Sequence, residues 1–134
     1  MQTFLPYPSF RESAVALDYR RLGKQRVEAF QILKTLRMGR KAWSNHPAVK
    51  MWRGYENALV LYMNAMILEW IQRGFRNTMV IEPVAGALYP PWLGKETFHA
   101  AHRAALLAKA PEHYGVFGWS EIPEIRYEWP TVST

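Results

Sequence analysis

The sequence predicts an all-α fold: one compact single-domain helical bundle, residues 1–134, with long aromatic and proline-rich loops between its helices. Apolar residues recur at helical spacing in several stretches, and serine, asparagine, glycine and proline sit where helices start and stop. A length of 134 residues fits one domain, and no repeat, low-complexity tract or linker divides it.

A first helix starts near Ser9 or Ser13, since serine is a good N-cap. The clearest helix runs from Asp18 to Met38 and stops at Gly39. Leu22, Arg26, Ala29, Leu33 and Leu36 share one side of it, with Phe30 at the edge. Arg21, Lys24, Glu28, Gln31 and Thr35 share the polar side. Asn45-His46-Pro47 reads as another helix start, with Asn45 or His46 capping and Pro47 in the first turn. A long helix then spans Gly54 to Gln72. Its stripe of Leu59, Tyr62, Met63, Met66, Ile67, Trp70 and Ile71 reads as core, and Gly74 closes it. Residues 79–94 carry three prolines and two glycines and read as an ordered aromatic loop. Thr97 to Ala108 is alanine-rich and helical, with His99, His102 and Arg103 within one turn, and Pro111 ends it. The tail from His113 onward reads as irregular chain wrapped over the helices rather than as strands.

The net charge is +6, and its distribution is more informative than its total. Residues 1–53 hold eleven Lys or Arg against Glu12, Asp18 and Glu28, whereas the remainder holds six basic residues against eight acids. A basic block on a mildly acidic molecule presents a one-sided field suited to a polyanion such as a nucleic-acid backbone. A solvated surface that serves only to keep the protein soluble is the plainer reading of the same charges. There is no cysteine, which excludes a disulfide framework and a thiolate metal site and fits a reducing compartment. The opening residues lack the basic start and apolar core of a secretory signal. The longest apolar stretch, Ala58 to Leu68, is broken by Asn64 and falls far short of the ~20 residues of a membrane span. A soluble protein with no membrane partner is expected.

Few constellations could carry chemistry. His99 and His102 lie three apart on a helix, but zinc would need a third ligand and no HExxH motif is present. They are expected as polar surface or DNA-contact residues, and no metal or other cofactor is expected. Glycine-rich phosphate loops, dinucleotide fingerprints and GxSxG elbows are absent. What remains is the polar face of the second helix, where Glu28 follows Lys24 by one turn in RRLGKQRVEAFQ. A carboxylate among cations, placed near a sugar, could accept a proton or steady a cationic intermediate. Alternatively it forms an i,i+4 ion pair contributing only about 0.2–0.5 kcal/mol.

The run LDYRRLGKQRVEAFQIL, then NHPAVKMW, an amphipathic helix ending in RGF, and finally FHAAHRAALLAKAPEHYGVFGW resemble, in that order, the pyrimidine-dimer DNA glycosylases of the phage endonuclease V type. The resemblance implies a small, basic, metal-independent, all-α enzyme acting on double-stranded DNA as a monomer. Its expected location is the bacterial cytosol or nucleoid, or the cytoplasm of a phage-infected cell. Family members cleave the glycosidic bond of a damaged pyrimidine with the N-terminal α-amine as nucleophile. The imine to C1′ then permits β-elimination, the AP-lyase step. The essential glutamate of the family falls on Glu28. The basic residues before it fall on Arg20, Arg21, Lys24 and Arg26 as phosphate contacts, and His46 occupies the Asn-His-Pro of some cellular members. Lys50 and Arg53 extend the same basic block and are expected on DNA.

Chemical sense supports that transfer. An α-amine ordinarily titrates near about 7.7–8.0, so a useful fraction is neutral at physiological pH. Trp43, Trp52, Trp92 and Trp119 are candidates for stacking on exposed bases, although tryptophans in a small domain are mostly core. The chain departs from the family at Val27, where an arginine is typical, and in extra residues around FRESAV. Gln2 is bulky enough to disfavour removal of Met1, which makes Met1 the expected source of the amine, with Gln2 the source if Met1 is lost. These departures leave open a relative acting on a hypermodified base, a non-catalytic DNA-binding module on the same fold, and an interaction protein of other purpose.

Overall fold

A computed structural model describes residues 1–39 and 45–130 of the chain. Trp43, one of the four stacking candidates, lies outside the described residues. The elements begin and end at their caps. α1 (Phe10–Ala16) starts where the Ser9 hydroxyl accepts the Glu12 N–H at 3.1 Å. α2 (Tyr19–Met38) starts at Asp18, whose side chain accepts the Arg21 N–H. It ends at Gly39, held at φ 63°, a left-handed conformation that favours glycine. α3 (Pro47–Lys50) is capped by His46 Nδ1, which accepts the Ala48 N–H at 3.0 Å. α4 (Glu56–Gln72), α5 (Glu96–Lys109) and α6 (Pro111–Tyr114) follow, and one 3₁₀ turn, Gly115–Phe117, leads into the tail. Among the described residues there is no strand, and no helix is long and apolar enough to cross a membrane.

α4 is the central helix, with α2 and α1 packed against it. Leu22, Ala29, Ile32 and Leu33 of α2 join Leu59, Tyr62, Met63, Met66 and Ile67 of α4 in one buried cluster. The apolar stripe expected on this helix holds as far as Ile67. Beyond it Trp70 is only half-buried and Ile71 is exposed, because the last turn of α4 runs past the core. Thr35, expected on the polar side of α2, is buried, and its hydroxyl donates to the Gln31 carbonyl one turn back. α2 and α4 approach closely at Gly23, where an added Cβ would lie 2.9 Å from the Trp70 ring. Trp70 is held there by Phe75, stacked at 4.3 Å, and by the Arg26 guanidinium 4.2 Å from its ring centre. The short α1 is tied down from α4's end: Arg73 Nη2 sits 2.7 Å from the Leu17 carbonyl and 3.0 Å from that of Val15.

Two of the tryptophans considered for base stacking belong to the core. Trp52 and Trp92 are buried edge to face at 5.0 Å, and their N–H groups donate to Thr3 Oγ1 and to the Met51 carbonyl. Trp119 is half-buried, stacked on Phe117 and Tyr114, and donates to the Tyr7 hydroxyl.

The extended N-terminal segment runs through the interior. Gln2 through Pro6 are buried, and a buried backbone must have its hydrogen bonds met. With no strand beside it, helix side chains meet them instead. Gln25 Oε1 accepts the Phe4 N–H at 2.8 Å, and the Tyr62 hydroxyl lies 2.9 Å from the Phe4 carbonyl. His102 Nδ1 accepts the Leu5 N–H at 2.8 Å, and Arg103 donates to the Pro6 carbonyl at 2.8 Å. His99 Nε2 accepts the Gly94 N–H at 2.9 Å, which leaves Nδ1–H to donate to the Leu5 carbonyl at 2.8 Å. His99 and His102 are therefore fully buried backbone clamps, not the polar surface residues their spacing suggested. Helix α5 turns them inward because the N-terminal segment needs partners there.

Burial lowers the pKa of both histidines, that of His102 to about 3 with the nearby His99 contributing. Both rings take up protons near about 6.5 in the unfolded chain and resist protonation in the folded one. A depressed folded pKa gives stability that is present above the unfolded value and is lost as the pH falls. Unfolding free energy is expected to drop below pH ~6.5 by up to about 1.4 kcal/mol per pH unit for His102 alone. Urea titrations near pH 7 and pH 5 measure this, and equal stabilities at the two pH values would contradict a neutral, buried His102.

Candidate active-site cleft

Where the N-terminus emerges from the core it meets the polar face of α2 in a cleft of about 410 Å³. Met1, Gln2 and Glu28 line it together with Arg20, Arg21 and Lys24, so six of the ten residues singled out in the sequence share one site. The helical register explains the α2 members: Arg21, Lys24 and Glu28 follow one another at spacings of three and four. The first residues reach the same place because the segment behind them is clamped.

Glu28 is held firmly. Gln25 Nε2 donates to its Oε2 at 2.7 Å, and Lys24 Nζ stands 4.0 Å from Oε1. The Glu28 side chain is 13% exposed against 72% for Lys24, so the carboxylate sits inside the cleft and the ammonium at its mouth. The Gln25 amide cannot be turned over, because its oxygen is taken by the Phe4 N–H and approached by the Tyr62 hydroxyl at 2.7 Å. One buried glutamine thus joins the N-terminal backbone, the core and the cleft carboxylate.

The cations are held in different ways. Arg20 is exposed and its Nε donates to the Tyr19 hydroxyl at 3.1 Å. Arg21 donates to Asp18 at 3.1 Å. Burial works against the Asp18 charge, but hydrogen bonds from Tyr114 and Arg21 outweigh it and hold that carboxyl below its ordinary range.

Four predicted contacts lie outside the cleft lining. Arg26 faces the other way, over Trp70, and donates to Asn77 at 2.9 Å, as its position on the core side of α2 anticipated. Lys50 is exposed at the end of α3, and Arg53 is exposed three residues later. His46 caps α3 and meets Trp129 edge to face at 6.1 Å. Burial lowers its pKa, the N-terminal ammonium adds to that effect, and Glu28 opposes it. The ring therefore lies within electrostatic reach of both the N-terminus and Glu28.

Sequence reading missed Gln25, Lys109 and Tyr127. Gln25 had a signal, since it precedes Glu28 by three on one helix face. Lys109 comes from the last turn of α5, and Tyr127 from irregular tail, where no periodicity marks a buried position. Among the described residues no three His, Asp or Glu side chains gather where they could hold a metal ion. A larger depression of about 740 Å³ lies over α1, but Arg11 and Glu12 line it together and give it no single sign of charge.

The family model described as pyrimidine dimer DNA glycosylase matches residues 1–83, which span α1 to α4 and every predicted site residue. The chain belongs to the pyrimidine dimer DNA glycosylase family. No curated protein and no solved structure matches it. Membership makes DNA the substrate of the family's site.

Gln25→Met keeps the side-chain length of Gln25 but leaves the Phe4 N–H without an acceptor and Glu28 without its donor. Stability should fall by about 2–3 kcal/mol, read as a shifted urea midpoint at unchanged slope. A loss under about 0.5 kcal/mol would mean that the clamp is not needed to hold the N-terminus.

Proposed function

We propose that the protein is a DNA N-glycosylase for damaged or modified pyrimidines, with an accompanying AP-lyase step, working through the α-amine of Met1 and the carboxylate of Glu28. The observation that carries this is the meeting of the chain's first two residues with Glu28 in one cation-rimmed cleft, within the segment that matches the family.

The neutral amine attacks C1′ as the glycosidic bond breaks, and the base leaves with the bonding electrons and acquires a proton. Glu28 faces the cationic character that develops on the sugar and assists ring opening to the C1′ imine. Gln25 holds the carboxylate at a fixed place, so little reorganisation accompanies the charge change. Loss of a C2′ proton then expels the 3′ phosphate, and water hydrolyses the imine to free the protein. Arg20, Arg21, Lys24 and Lys109 line the cleft and would hold the flanking phosphates. Lys50 and Arg53 extend the contact along the duplex, and His46 acts near the amine and Glu28 rather than on a phosphate. Arg26 serves the fold.

Borohydride trapping on duplex DNA with a single abasic site tests the amine directly. A covalent adduct mapped to residue 1 is expected, and an adduct on Lys24 would replace the nucleophile. Tight binding with no adduct would favour the non-catalytic DNA module. Glu28→Gln should retain folding and DNA affinity but lower turnover by at least about 100-fold, and unchanged strand cleavage would remove Glu28 from the mechanism.

Lys24→Ala should weaken binding to all sequences alike and reduce the slope of log K against log salt by about one unit. An unchanged slope would put the phosphate-binding face elsewhere.

A further inference from the structure

Helix α1 carries a surface feature that the reaction above leaves unused. Arg11, Glu12 and Val15 face outward from it, while Ser13, Ala14 and Ala16 are buried beneath. Because Val15 follows Arg11 by four residues and Glu12 by three, all three stand on one side of the helix. A recess of about 740 Å³ runs along this side between α1 and the Gly115–Phe117 turn, with Tyr7, Val15 and Phe117 among its walls. A second recess of about 530 Å³ lies between α1 and α4, and Arg11 lines both. α1 is thus a ridge with a groove on either side.

Where the ridge is not charged it is apolar. Val15 is 54% exposed, and across the recess Phe117 and its neighbour Val116 are 40% and 79% exposed. Exposed apolar side chains gathered on one face mark a place where another molecule sits. The charges say which molecule. Among the described residues Arg11 and Glu12 make no ion pair, so a guanidinium and a carboxylate stand side by side on the recess with neither neutralised. A nucleic acid presents only phosphates to such a face, and Glu12 repels them. A second copy of the same face presents both signs, so that under a two-fold axis each carboxylate meets a guanidinium. Shape is matched in the same way, since each copy supplies both a ridge and a groove.

We propose that the outer face of α1 is the interface of a symmetric dimer, with the ridge of each copy seated in the groove beside α1 of the other. Close to the two-fold axis, Arg11 of each copy pairs with Glu12 of the other, and Val15 and Phe117 close the apolar part of the contact. The inference stands apart from the glycosylase reading and departs from the monomer that the family resemblance implies. No residue that lines this recess also lines the cleft, so the pair carries two complete clefts and neither needs the other. α1 is only seven residues long, which makes a reversible, micromolar pair the expected strength rather than an obligate one.

Sedimentation equilibrium of the whole chain, from about 5 to 200 μM, reads the mass directly. The mass should climb from 15.6 kDa toward twice that value as the concentration rises. Arg11→Glu leaves two carboxylates at the centre of the face and Glu12→Arg leaves two guanidiniums, so each variant alone should stay at the monomer mass across the range. An equimolar mixture of the two variants should regain the higher mass, because each copy then meets the opposite sign. Mixing cannot rescue a misfolded chain, so this recovery separates lost pairing from lost folding. An unmodified chain that keeps the monomer mass at every concentration would overturn the proposal. Variants that associate as the unmodified chain does would also overturn it, since the contact would then lie elsewhere. A mixture that stays monomeric would do the same, by showing that Arg11 and Glu12 do not pair between copies.

Discussion

The site depends on one constraint: a length of extended chain is buried without a neighbouring strand. Each buried N–H or carbonyl left unpaired would cost about 1–3 kcal/mol, so residues 4–6 can lie inside the molecule only if side chains stand in for a strand. Gln25, Tyr62, His99, His102 and Arg103 do so, drawn from α2, α4 and α5. These contacts fix the direction in which the chain leaves the core, and so they fix where Met1 and Gln2 lie. The cleft is a result of how the segment is clamped.

The same constraint explains why the polar residues of this fold are divided as they are. Arg103 looks like a surface cation in the sequence, but it is buried and bonds the Pro6 carbonyl, Glu121 and Glu96. Arg26 looks like part of the basic stripe but packs on an indole. Arg20, Lys24, Lys50 and Arg53, by contrast, are exposed at the surface. Net charge alone could not separate these groups, because the separation is made by tertiary partners.

Much of the architecture was legible. Ser9, Asp18, Gly39 and His46 marked helix ends because capping is a local interaction, and the structure uses all four as caps. Glu28 stood out because its neighbours on α2 are set by helical register. The histidines of α5 were misread for the opposite reason. Their partners are Leu5 and Gly94, and the first of these lies more than ninety residues away. Tyr127 was invisible for a similar reason, since an aromatic residue in irregular chain has no periodic context to announce which way it faces. Local physics recovered α1 to α5 and half of the cleft, whereas α6, which falls where irregular chain was expected, and the parts built from long-range pairing appeared only in three dimensions.

The clamp also orders events during synthesis. Residues 1–6 precede every helix that anchors them, two of the three anchoring helices follow much later in the chain, and α5 ends at Lys109. Until α5 has emerged, Leu5 and Pro6 have no partners and the first residues have no fixed position. A nascent chain therefore carries the basic helix α2 well before it carries an assembled cleft. The meeting of the first two residues with Glu28 in one cleft therefore waits for nearly the whole polypeptide.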